Sequence, residues 1–313
     1  MKNQGVDIIG DIHGRADELE ALLKKLGYRE HSGCYRHPHR NALFLGDLID
    51  RGNQNARVVR IVRDMVDHGK ATAIMGNHEY NAICYHTRHP ETGKPLREHT
   101  DKNQKQHAEF LAEVGVNSDH CADIIDWFRS LQIFQETKTF RAIHASWHST
   151  KIQSLKNHLK GNILTNDFLL RSSDKTSHEH TLIEDLLKGP EHQLPEGKFF
   201  IDKDGNKRQQ IRTRWWQKNV RTYSDAAIAD EKTLQQIANI DFPDSDAIYG
   251  YPEDALPVFF GHYWLRGKPA LQRSNIACLD YSVALPQGAL CAYRHEGEKK
   301  LCASRFMTVS RLD

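Results

Sequence analysis

Six side chains in this 313-residue sequence are of types that bind divalent cations, and each follows a short apolar run. Asp11 and His13 come after VDIIG, Asp47 after NALFLG, and Asn77, with His78 beside it, after ATAIMG. Far along the chain, His144 closes the apolar run of FRAIHAS and His262 follows PVFFG. One such residue after an apolar run is ordinary turn chemistry, since Asp and Asn favour turns. Three successive runs that end this way form a different kind of pattern. Carboxylates and an amide mixed with imidazoles suit Mn²⁺, Fe or Zn²⁺ better than a thiolate-seeking metal. Six donors are too many for one catalytic ion with an open position. They suffice for two ions that share a carboxylate. Two such ions acidify a bridging water from about 16 towards about 7, and their residual charge matches a phosphate dianion.

Donors on distant segments need a scaffold to gather them. Residues 6–10, 41–46 and 71–76 read as short buried strands. Between the first two, Leu19, Leu22, Leu23 and Leu26 make a helical stripe, with Asp17 and Glu18 in its first turn and Gly27 as its stop. Between the second and third, Val58, Val59, Ile61, Val62, Met65 and Val66 make another, ended by Gly69, with Asn53 or Asn55 as the expected N-cap. The order β-α-β-α-β predicts parallel strands that are adjacent or nearly so, with ligands bound at their carboxyl ends.

The blocks GDIHG (10–14), GDLIDRG (46–52), GNHE (76–79), His144 within IHA, and Gly261-His262 resemble, in order and spacing, the calcineurin-like metallophosphoesterases. Within that superfamily they look like the phosphoprotein-phosphatase branch, near the bacterial diadenosine-tetraphosphate hydrolases and the phosphatase module of bacterial RNA-repair enzymes. The resemblance implies an α/β fold of the α/β/β/α sandwich type with an inserted cap region. It implies that Asp11 and His13 hold one metal, Asp47 bridges, and Asn77, His144 and His262 hold the second. It implies His78 as general acid with Asp50 as its partner, and Arg51 as the clamp on phosphate oxygens, with Asn77 also at the substrate. Many wider-family members end with Gly-His-x-His. Here the last of those positions is Trp264, which implies a more exchangeable first metal.

The expected division is a core of residues 1–150 and 251–313 interrupted by a cap over 151–250. In the cap, Arg212, Arg214, Trp215 and Trp216 are substrate-side candidates, with a Trp face available to a nucleobase. GKFFIDKDGNKRQQIRTRWW reads as two strands about Asp204-Gly205, and Asp202 with Asp204 lacks the later Glu of a calcium loop. Residues 85–108, which include His86, His89, His99 and His107, read as a solvated loop at the mouth of the site. The segment from Ile276 to Arg294 reads as a hairpin turning at Pro286-Gln287-Gly288.

Composition narrows the function classes. Lys plus Arg number 43 against 41 Asp plus Glu, a balance that argues against extended nucleic-acid binding. No apolar run is long enough to span a membrane, no signal-peptide pattern opens the chain, and the six Cys form no CxxC pair; a cytoplasmic protein is expected. The expected activity is hydrolysis of phosphate monoesters, on a phosphoprotein or small phosphorylated substrate, by hydroxide bridging two divalent transition metals. Manganese leads as the metal, with Fe, Zn or Ni as alternatives. Hydrolysis of a nucleoside polyphosphate is the second reading. A silent binding scaffold is disfavoured because all six donors, Arg51 and His78 are present.

Overall fold

Alternate residues of a strand face opposite sides of its sheet, and here the alternation sorts each strand between two cores. The computed structural model describes residues 5–201, 205–243 and 246–312. Its strands form two main sheets. In the first, Gly5–Ile9 lies between Arg40–Phe44, its parallel neighbour, and Ala289–His295, which runs antiparallel. Ala71–Ala73 extends the parallel side, while Asp280–Tyr281 and Phe306–Ser310 pair with Ala289–His295. The second sheet is ordered Ile276–Cys278, Val258–Phe260, Arg141–Ile143, Phe134–Glu136, with its first three strands parallel.

Ile8 and Leu43 from the first sheet and Ala142, Phe259 and Ala277 from the second share one buried cluster between the sheets. Their chain neighbours Ile9, Ala42 and Phe44, and Ile143, Val258 and Phe260, belong instead to the cluster built with the helices. Helices Ala16–Leu26 and Asn55–Asp67 supply Leu19, Leu22, Leu23, Val58, Val62 and Met65 to it. The layering is therefore helix, sheet, sheet, helix.

The two leucine- and valine-striped helices form as their spacing predicts, and Gly27 ends the first at φ 97°. The N-cap of the second differs. Gln54 occupies it without a side-chain bond, because the Asn55 side chain is committed to the preceding loop, where it accepts from the Asp50 N–H (2.6 Å) and donates to the Gly52 carbonyl (2.8 Å). The Glu113 carboxylate caps the helix instead, accepting from the N–H groups of Asn55 and Ala56.

Three local expectations change. Residues 85–108 are not one loop: helix Asn77–His86 runs into the segment and helix Asp101–Val114 begins within it, capped by Thr100. The stretch from Ile276 is not a simple hairpin: Ile276–Cys278 belongs to the second sheet and Asp280–Tyr281 to the first, with the buried Leu279 between them. Phe200–Ile201 does pair with Lys207–Arg208, but Asp202 and Asp204 lie outside the described residues.

Residues of 149–188 form helices that share the main core through Ile152, Phe168, Ile183 and Leu186. Beyond them Leu194, Ile211, Tyr223, Ala227 and Ile237 make a small separate cluster. Among the described residues no helix is long and apolar enough to cross a membrane.

Candidate metal centre

The loops that leave the carboxyl ends of the parallel strands converge where the two sheets meet. Asp11 and His13 follow Gly5–Ile9, Asp47 follows Arg40–Phe44, Asn77 and His78 follow Ala71–Ala73, His144 follows Arg141–Ile143, and His262 follows Val258–Phe260. All seven side chains are buried. Among the carboxylates and imidazoles two donor groups form, His13–Asp47–His78 and Asp47–His144–His262, with Asp47 common to both and Asp11 in neither.

The tautomers follow from the neighbours. His13 Nδ1 lies 3.2 Å from the Ile49 carbonyl and His144 Nδ1 lies 2.8 Å from that of Leu45, so each Nδ1 is the donor. Their Nε2 atoms then face the Asp47 carboxylate at 3.7 and 3.3 Å. A lone pair facing a carboxylate needs a positive charge between them. In the protein alone a proton supplies it at His144: burial opposes that charge, but Asp47 beside it pushes the imidazole up to about 10. Burial holds His13 well down. Asn77 Oδ1 lies 3.1 Å from His144 Nε2 and 2.7 Å from His262 Nδ1.

Three further buried atoms, Asp11 Oδ1, His13 Nε2 and His262 Nε2, have no hydrogen-bond partner. Burial, followed by the nearby Asp280, pushes the Asp11 carboxyl well above the usual carboxylate range. A dry carboxylate and unpartnered imidazole nitrogens grouped about one shared Asp fit a pair of divalent cations, which would stabilise these groups in their unprotonated forms. Space is held for Asp11 by Gly261, where a Cβ would lie 1.8 Å from its Oδ1.

Beside these donors, His78 Nδ1 contacts Asp50 Oδ2 at 2.6 Å and its Nε2 faces Asp47 at 3.8 Å. Asp50 Oδ1 meets His107 Nδ1 at 2.8 Å. Burial opposes ionisation of Asp50, yet the hydrogen bonds from His107 and His78 bring its carboxyl down to about 2. Arg51 lies over the Trp264 ring, 4.6 Å from its centroid, and Trp264 stacks on His13 at 5.0 Å. Trp264 thus forms an aromatic wall beside His13 and Arg51.

The cap candidates divide. Arg212 lines the cleft, donates to the His262 carbonyl at 3.1 Å and lies 3.8 Å from Glu191. Arg214 is not among the residues lining it. Trp215 is 0% exposed and donates its indole N–H to the Ala145 carbonyl, so it is a core residue and presents no face to substrate; Trp216 is buried with it. Two strands of mixed Arg and Trp look alike in sequence whichever side meets the core.

Sequence reasoning missed three residues. The polar sequence around His107 reads as a solvated loop, yet His107, Phe110 and Val114 fall at helical spacing and are buried together. The GNHE block by itself assigns Glu79 no role. Its carboxylate accepts from the N–H groups of Asp47, Leu48 and Gly76, each at 2.8 Å, which ties the second donor loop to the third. Gly76 permits this closeness, since a Cβ there would lie 2.3 Å from the Asp47 nitrogen. Asp280, buried, accepts from the N–H groups of Trp264 (2.6 Å) and Ser282 (2.9 Å) and fixes the loop after His262.

Comparison with known proteins agrees with this geometry. The model of the calcineurin-like phosphoesterase family matches residues 6–190, more than half of the sequence, and the chain belongs to that family. Its members depend on a pair of metal ions. Among curated relatives, the asymmetrical bis(5'-nucleosyl)-tetraphosphatase PrpE of Oceanobacillus iheyensis is 46% identical over 74 residues, 23% of this chain and 30% of that protein. Its counterpart in Halalkalibacterium halodurans is 49% identical over 73 residues, with the same coverage. The chain thus matches about 30% of the length of these relatives. A protein serine/threonine phosphatase structure from Saccharomyces cerevisiae, with similarity to human phosphatase PP5, superposes with a TM-score of 0.51 at 12% identity, covering 100% of this chain and 82% of that one; it shows a shared fold.

Glu79→Ala removes one acceptor from three buried N–H groups, each costing about 1–3 kcal/mol when left unpaired. The variant is expected to lose about 3 kcal/mol or more in denaturant unfolding, with Glu79→Gln losing less.

Proposed function

We propose that this chain hydrolyses phosphoric esters with two divalent cations, the phosphate monoester of a phosphoprotein or small molecule being its substrate and manganese the favoured metal. The observation that carries this reading is the single buried Asp47 shared by two donor groups. Asp11, His13 and Asp47 would hold one cation, and Asp47, Asn77, His144 and His262 the other. When bound, the pair supplies positive charge to the phosphoryl oxygens and lowers the pKa of a water towards neutrality.

The remaining steps belong to the chain's own side chains. Arg51, at the cleft beside Asp50 and His78, clamps phosphoryl oxygens, with its guanidinium plane backed by Trp264. His78 gives its proton from Nε2 to the leaving oxygen, because Nδ1 is engaged by Asp50. Ionised Asp50 steadies the charged imidazole, and His107 holds the second oxygen of Asp50, making it a positioning residue. A cytoplasmic setting fits six cysteines that form no disulfide.

One observation favours the second reading, a nucleoside polyphosphate as substrate. The cleft over the site has a volume of about 1070 Å³, far more than one phosphoryl group needs. Trp215, being enclosed, would not supply a stacking face for the base.

Asp47→Asn is expected to lower the metal content of both sites together by elemental analysis; loss of one ion alone would contradict the shared role. His78→Ala should retain both ions, lose about 10²-fold or more in kcat on alkyl phosphates, and lose far less on p-nitrophenyl phosphate, whose leaving group needs no proton. Turnover of a phosphopeptide exceeding that of diadenosine tetraphosphate supports the monoester reading, and the reverse order, by orders of magnitude, the polyphosphate one.

A further inference from the structure

Several cations that line the cleft are neutralised where they stand. Lys188 pairs with Glu184, while Arg208 and Arg212 lie 3.4 and 3.8 Å from Glu191. Arg97 differs. Its guanidinium is met by three neutral amide oxygens, those of Asn81 (2.6 Å), Asn103 (2.9 Å) and Gln106 (2.9 Å). No carboxylate lies within ion-pair distance of it among the described residues, and Glu184 and Asp50 act on it only through space. Amide oxygens orient a guanidinium without cancelling its charge. Arg97 therefore remains a half-buried cation without an ion-pair partner among the described residues, and desolvation lowers its pKa. Of the five N–H donors on a guanidinium, these three bonds leave two.

The placement of this charge gives it a use. Arg97 lines the same cleft as Asp50, Arg51, Asn77 and His78. Asn81, which holds it, and Asn77, a donor of the metal centre, are four residues apart on helix Asn77–His86. They share a face, about one turn or about 6 Å apart along the helix axis. On the other side, helix Asp101–Val114 carries both Asn103 and Gln106, which orient Arg97, and His107, which holds Asp50. Arg97 thus lines the cleft on the side where Asn81 follows Asn77, so a ligand that reaches past the metal donors in that direction would meet a cation.

We propose that Arg97, oriented by Asn81, Asn103 and Gln106, forms an anion subsite for a second phosphoryl group linked to the one that is cleaved. The site then favours substrates with two linked phosphoryl groups over those with one. This rests on the phosphoester-hydrolase reading above and argues, within it, for the second substrate reading over the simple monoester.

The test is calorimetric titration of the manganese-loaded full chain with methylenebisphosphonate, which is not hydrolysed, and with orthophosphate. The wild type is expected to bind the bisphosphonate more tightly. Arg97→Ala should weaken bisphosphonate binding about tenfold or more and leave orthophosphate within about twofold, and Arg97→Lys should recover part of the loss. Arg97→Gln, which keeps an amide among the three that surround it, serves if the alanine variant does not fold. Equal weakening of both ligands, or of neither, overturns the subsite. A wild type that turns over no phosphoester yet shows the selective loss would overturn the hydrolase reading and keep the subsite. Turnover of p-nitrophenyl phosphate without the selective loss would do the opposite.

Discussion

Two carboxylates buried at the junction of two sheets, Asp11 and Asp47, impose the central electrostatic constraint on this fold. An ionised carboxylate away from water is unfavourable unless charge or hydrogen bonds compensate it. Asp47 is compensated in the protein alone: burial raises its pKa, but the imidazoles led by His144 bring it well below the usual range. The His78 N–H at the start of helix Asn77–His86 adds a bond to its Oδ1 at 3.0 Å, with the positive end of the helix dipole behind it. Asp11 is not compensated to the same degree. The His262 N–H reaches its Oδ2 at 2.9 Å, while Oδ1 has no partner. The centre is thus arranged around negative charge and lone pairs that a cation pair would satisfy.

Holding such a cluster together strains the backbone. Among the described residues, twelve other than glycine have positive φ, and six of them, His13, Asp47, Asp50, Arg51, His262 and Trp264, are at the site. Each costs of order 1–3 kcal/mol relative to an ordinary conformation. The strain is sustained by bonds that over-determine the loops. Glu79 bridges two of them, Asp280 fixes a third, and Asn55 with Glu113 joins the Asp50 loop to the start of its helix. The strands deliver the donors, and this second set of buried carboxylates and amides sets their directions.

The cleft walls follow a different logic. They come from segments remote in sequence, including helix Asp101–Val114, the end of helix His178–Lys188, and strand Gln210–Arg212. Several of their charges pair locally, Lys188 with Glu184 and Arg208 and Arg212 with Glu191, so the near-zero net charge of the chain does not by itself describe the surface that meets substrate. Arg97 and Arg51 matter for where they stand, not for the number of cations in the chain.

The repeated unit of apolar run, glycine and polar donor was legible in the residues because strand burial and turn chemistry act over a few positions. The same local physics gave the two flanking helices and Gly27. His107 was not legible as a site residue: its polar neighbours resembled a loop, and only the packing of Phe110 and Val114 turns that face inward. Trp215 failed in the reverse direction, since an Arg-Trp cluster carries no mark of which face meets the core. By itself, the sequence determined which atoms are available as cation donors and that the first three groups of them leave successive parallel strands. Only the tertiary structure decided that Asp50 is shared by two histidines, that Trp215 is enclosed, and that Arg97 has no carboxylate within ion-pair distance among the described residues. Those outcomes depend on contacts between segments far apart in the chain, which no local pattern of residues encodes.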